Sequence, residues 1–89
     1  ESAIWEYGSK ADIVILDPPR SGLHPKVIKA LRSQMPAHII YLSCNPKTQS
    51  EDVKKLADLY DITLAKGYNL YPHTPHIEHL ICLKRKSTI

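Results

Sequence analysis

Glycine is scarce in this chain: only Gly8, Gly22 and Gly67 occur in 89 residues, and no pair of them forms a G-x-G. That excludes from these residues the glycine-rich strand-to-helix turn that cradles the phosphates of a nucleotide. Cysteine is scarce too. Cys44 and Cys82 stand in unlike contexts without a C-x-x-C spacing, which argues against a disulfide framework and for a reducing compartment, the cytoplasm. There is no signal peptide, internal repeat or low-complexity tract, and no apolar run long enough to cross a bilayer. A net charge of +3 tolerates a polyanionic partner without demonstrating one, and the run Lys84-Arg85-Lys86 reads as a solvated tail.

What remains is an ordinary globular composition, 43% hydrophobic and 24% charged. A chain of this length makes one small domain, burying about 60 to 70% of its unfolded surface. It opens at Glu1 without an initiator methionine, the expectation for a piece cut from a longer protein.

The stretch Tyr41-Leu42-Ser43-Cys44-Asn45-Pro46 organises the rest. Ahead of Cys44, residues 37–42 are short, apolar and rich in β-branched side chains, the pattern of a strand buried on both faces of a parallel sheet. Asn45 and Pro46 stop that strand, and ligands of open α/β sheets bind just beyond such carboxyl ends. Cys44 is therefore a candidate nucleophile; the alternative is a small buried apolar residue.

Ile13-Val14-Ile15-Leu16 is a second buried strand, ending in the rigid loop Asp17-Pro18-Pro19-Arg20-Ser21-Gly22. Pro25 suits a first helical position, with Val27, Ile28, Leu31 and Met35 on one face and Lys26, Lys29 and Arg32 on the other; Pro36 limits the helix. Strand, helix and strand thus make one βαβ unit. Thr48 to Glu51 has the form of a capping box and predicts a second helix starting there, with Val53, Leu56, Ala57 and Tyr60 on its apolar face and Lys54, Lys55 and Asp58 facing water. Ile62 and Leu64 open a strand running to about Asn69; residues 71–76 form a proline-bounded loop; Ile77 to Lys84 is a last, interior strand. About seven joining residues are too few for a parallel crossover, so that strand runs antiparallel to its neighbour. Residues 1–10 fit neither period.

Three islands carry a resemblance: Asp17-Pro18-Pro19-Arg20-Ser21-Gly22-Leu23, then residues 41–48, then Tyr71-Pro72-His73-Thr74-Pro75-His76-Ile77-Glu78. In this order and at these separations they resemble successive motifs of the RNA uracil-C5 methyltransferases, which form 5-methyluridine in tRNA or ribosomal RNA. Asn69 and Tyr71 depart from it, standing where that family commonly has Asp and Phe. The resemblance implies an α/β fold, the second half of a class I S-adenosylmethionine-dependent methyltransferase sheet (Rossmann-like) with an antiparallel last strand. It implies S-adenosyl-L-methionine as methyl donor, its glycine-rich motif lying upstream, and RNA as partner. Residues 1–89 would be the carboxyl-terminal part of a catalytic domain, inactive alone.

Residue by residue, it implies Cys44 as nucleophile, Glu78 as proton acceptor and Asp17 as a cofactor contact. The chemistry wants those types. C5 of uracil is a poor nucleophile until a thiolate adds to C6, and the C5 proton must then be removed by a base. The alternatives are an exposed strand-end carboxylate for Glu78 and an Asx-turn or helix cap for Asp17. Pro18 and Pro19 would stiffen a loop under a base flipped from its stack. Arg20 reads as a phosphate contact or a plain surface residue. His73, His76 and His79 with Cys82 match no structural zinc spacing. Two rivals remain: a non-catalytic RNA-binding module, which would lack Cys44 or Glu78, and an amino-methylating enzyme with a D-P-P loop, which would need neither.

Overall fold

The computed structural model describes residues 3–5, 12–68 and 77–87. Among them the elements run β1 (Ala3–Trp5), β2 (Ile13–Leu16), α1 (Pro25–Gln34), β3 (His38–Ser43), α2 (Pro46–Lys54), β4 (Tyr60–Tyr68) and β5 (Glu78–Arg85). The strands form one sheet in the order β1-β2-β3-β5-β4. β2 and β3 are parallel, β5 runs antiparallel to both β3 and β4, and β1 pairs antiparallel with β2. The βαβ unit and the reversed, interior last strand are as the sequence predicts. β1 is an addition; three residues are too few to show a period.

α1 starts where expected. Pro25 opens it, and His24 caps it by accepting the Lys26 N–H on Nδ1 at 3.1 Å. It ends at Met35, left-handed at φ 48°, whose N–H donates to the Leu31 carbonyl. Ile28 and Leu31 are buried, while Lys26, Lys29 and Arg32 face water. The Arg32 guanidinium grips the Asp58 carboxylate at 2.7 Å and holds it at about 2, below its usual 3.8.

α2 corrects two expectations. Its N-cap is Asn45, whose Oδ1 accepts from the Lys47 and Thr48 amides, so the helix begins at Pro46 and Thr48 is no cap. It also ends earlier. Residues 55–59 are turns, Ala57 is exposed, and Tyr60 opens β4, its hydroxyl donating to the Pro36 carbonyl. A tertiary hydrogen bond thus outweighs the helical period that seemed to include Tyr60.

The core lies on one face of the sheet. Val14, Leu16, Ile39, Tyr41 and Leu83 form it with Ile28 and Leu31 of α1, Val53 of α2 and Leu56 of the turns that follow. Burying each such side chain contributes about 1.5 to 3 kcal/mol. The expectation that both strands are buried on both faces is corrected: in β2 and β3 every second residue is buried, and Ile13, Ile15, Ile40 and Leu42 are only half-buried. Both helices contribute to the one cluster, which leaves the opposite face to its strands. Lys84 to Lys86 is no free tail either. Arg85 belongs to β5 and donates to the Met35 carbonyl at 2.7 Å, and the Lys86 N–H donates to the Leu59 carbonyl at 2.9 Å.

Candidate active site

Topology collects the three predicted residues at one sheet edge. β2 and β3 are parallel, so Asp17 and Cys44, each just past its strand, follow the same end. β5 is reversed, so its first residue, Glu78, stands at that end too. Leu42 pairs with Leu80 and Ser43 with His79, the last pair of this ladder, so Cys44 and Glu78 each flank that pair. Asp17 is exposed, and Cys44 and Glu78 are half-buried. Neither cysteine is in a disulfide. His73, His76, Asn69 and Tyr71, with the rest of the proline-bounded loop, lie outside the described residues.

The turn holding Cys44 is tied on both sides. Ser43, buried, accepts the Asn45 N–H on its hydroxyl at 3.0 Å, which closes the turn around the cysteine. Asn45 Nδ2 and Thr48 Oγ1 both donate to the Arg20 carbonyl, at 3.1 and 2.9 Å, so the loop after β2 is fastened to the start of α2. Arg20 Nη1 then donates to the Cys44 sulfur at 3.9 Å. That contact puts a positively charged donor beside the candidate nucleophile.

Gln49 does the same for β5. It is buried, and its Nε2 donates to the carbonyls of Tyr41 and His79, both at 3.0 Å, spanning from β3 to the residue beside Glu78. Each buried side-chain nitrogen and oxygen among the described residues has a partner. Two hollows flank the edge: about 340 Å³ by Pro19, Gly22 and His24, and about 270 Å³ by Pro46, Gln49, Lys66 and His79. Neither is lined by Cys44 or Glu78.

Sequence reading missed Gln49, Asp52 and the Arg20 contact with sulfur. Gln49 and Asp52 are polar residues spaced i and i+3 on the same face as Val53 and Leu56, and that spacing does not reveal which distant groups they reach. Arg20 sits in a motif that had been singled out, but its direction depends on a bond formed 24 residues later in the chain.

Comparison with known proteins bears on the family and the fold. The chain is 45% identical to an uncharacterized RNA methyltransferase of Clostridium tetani over 97% of its own length and 19% of that protein. It is 52% identical to a tRNA (uracil(54)-C(5))-methyltransferase of Pyrococcus horikoshii over 75% of its length and 16% of that protein. The crystal structure of Pyrococcus abyssi tRNA (uracil-54, C5)-methyltransferase in complex with S-adenosyl-L-homocysteine superposes at a TM-score of 0.75 and 44% identity, over 90% of this chain and 19% of that one. The fold is accordingly that of an S-adenosylmethionine-dependent methyltransferase sheet, of which this chain supplies a part. No helix among the described residues is long and apolar enough to cross a membrane. With a family profile matching residues 5–86, the chain belongs to the tRNA (uracil-5-)-methyltransferase family.

Proposed function

We propose that the full-length protein of which this chain is part methylates C5 of uracil in RNA, using S-adenosyl-L-methionine, with Cys44 as nucleophile and Glu78 as base. The observation that supports this reading is the topology that brings Cys44, just past β3, and Glu78, the first residue of β5, to the sheet end where Asp17 also follows its strand. The Pyrococcus relatives favour tRNA as substrate. The chain spans only 16 to 19% of such relatives, so turnover belongs to the whole protein and the isolated chain is inactive. Two free thiols suit a reducing cytoplasm.

The Cys44 thiolate adds to C6 of a flipped uracil; the S–C6 bond forms as the C5=C6 electrons move onto O4 as an enolate. When bound, S-adenosylmethionine supplies an electrophilic methyl group. An exposed carboxylate at the carboxyl end of β2, Asp17, fits a cofactor's hydroxyl or amino donors. Once C5 is methylated, Glu78 takes its proton, the C5=C6 bond reforms and the S–C6 bond breaks. Sulfur leaves as a thiolate, with Arg20 beside it.

Release of tritium from tRNA carrying [5-³H]uridine tests the reaction class. The full-length protein is expected to release one tritium per methyl group transferred, and Cys44→Ala to release none. Methyl transfer that leaves the tritium in place would point instead to methylation of an amino group or another atom.

A further inference from the structure

Asp52 has no part in the steps above, yet it is a carboxylate 5% exposed in the middle of α2. Burying such a group costs several kcal/mol unless its oxygens are hydrogen-bonded. Oδ2 accepts twice, from the Leu23 N–H at 2.9 Å and from the Tyr41 hydroxyl at 2.7 Å. Burial and this bond push the Tyr41 phenol well above its usual range, so it stays a donor.

Leu23 lies three residues beyond Arg20, in the loop whose Arg20 carbonyl is held by Asn45 and Thr48. Positions 45, 48 and 52 are spaced i, i+3, i+7, one helix face. That face therefore grips both ends of residues 20–23. Between them Gly22 turns at φ +90°, so close that an added Cβ would stand 2.8 Å from Asp52 Oδ2. The same helix begins just after Cys44. Both members of the Arg20–Cys44 contact are thus fixed to one rigid element.

We propose that the Asn45–Thr48–Asp52 face of α2 is a positioning clamp, with Asp52 its buried anchor, that keeps the Arg20 guanidinium against the Cys44 sulfur. The inference rests on Cys44 being the nucleophile. The clamp matters twice in that chemistry, when the thiolate attacks and when it is expelled.

A reagent-charge experiment separates positioning from plain stability. In the full-length protein, Cys44 alkylation by iodoacetate and by iodoacetamide is followed by mass spectrometry of its peptide. A guanidinium near sulfur favours the anionic reagent, by about fivefold for one unit of charge interaction of about 1 kcal/mol. Arg20→Ala should lower the iodoacetate-to-iodoacetamide ratio about fivefold. Asp52→Ala should lower it comparably although Arg20 is still present, and the double variant should go no lower. Asp52→Asn, which keeps an acceptor, should restore most of the ratio. Val53→Ala, a core change on the same helix, should lower the melting temperature and leave the ratio alone. If Asp52→Ala does not fold, Thr48→Val removes the hydroxyl from the Arg20 carbonyl and should lower the ratio in the same direction. A ratio unmoved in folded Asp52→Ala, or in Thr48→Val where that variant stands in for it, overturns the clamp. The nucleophile assignment fails separately, if Cys44→Ala still forms a covalent adduct with RNA containing 5-fluorouridine.

Discussion

Glu78→Gln in the full-length protein is expected to cut turnover by about 10²- to 10⁴-fold, the usual range for losing a general base. The side chain keeps its size and one acceptor oxygen, so cysteine addition and methyl transfer continue while the C5 proton stays in place. Methylated RNA should then accumulate bound to the protein. Denaturing electrophoresis with a radiolabelled methyl group reads this directly: a labelled protein–RNA band in the variant and little in the wild type. The reason for expecting a trapped species lies in the register. Cys44 and Glu78 flank the last β3–β5 pair, Ser43 with His79, and Gln49 pins the His79 carbonyl to β3. Normal turnover without a trapped band would make Glu78 a plain strand-end carboxylate and leave Cys44 untouched.

Gly22→Ala is expected to have the largest effect on the structure around the site. At φ +90° a side chain costs about 1 to 2 kcal/mol in backbone strain. The new Cβ would also meet Asp52 Oδ2 at 2.8 Å and Thr48 Cβ at 3.3 Å. That oxygen cannot swing aside cheaply, because Leu23 and Tyr41 both donate to it. Weakening a hydrogen bond to a charged group adds about 1.5 to 3 kcal/mol, so the loop should open more easily by roughly 2.5 to 5 kcal/mol. At about 1.4 kcal/mol per tenfold, the Leu23 amide, which donates to Asp52, should exchange with deuterium about 60- to 4,000-fold faster. Unchanged exchange at Leu23 would mean that the loop absorbs the methyl group elsewhere.

Much of this architecture is legible in the sequence for one physical reason: local patterns report local structure. Ile13 to Leu16 and residues 38–43 read as strands because their apolar runs are short and β-branched, and Pro25 marks the start of α1 through its missing N–H. The direction of β5 follows from the length of the connection before it. Cys44 stands out as a thiol at a strand end, whereas Glu78 and Asp17 enter as site residues through the family resemblance.

What was hidden depends on partners far away in the chain. Thr48 and Glu51 imitate a capping box, yet the Thr48 hydroxyl is spent on the Arg20 carbonyl and Asn45 caps instead. Tyr60 fits the helical period of α2, but its hydroxyl reaches Pro36 and the chain turns before it. Asp52 and Gln49 share a helix face with Val53 and Leu56, but their partners, the Leu23 amide and the Tyr41 and His79 carbonyls, lie in other elements that local spacing does not name. Arg20 is exposed, one of its two readings in the sequence, and its contact with the Cys44 sulfur depends on a turn formed 24 residues later. The half-buried second face of the sheet could not be anticipated either, because a continuous apolar run does not reveal which side lacks a helix.

The central claim is that Cys44 bonds to the uracil. The full-length protein, incubated with methyl donor and tRNA containing 5-fluorouridine, forms a species that cannot be released because the fluorine is not lost as a proton. Trypsin and nuclease digestion followed by tandem mass spectrometry locates the modified residue. The account predicts a methylated fluorouridine on the peptide of residues 33–47, joined at the Cys44 sulfur. Attachment to any other residue, or an adduct that survives Cys44→Ala, would contradict it.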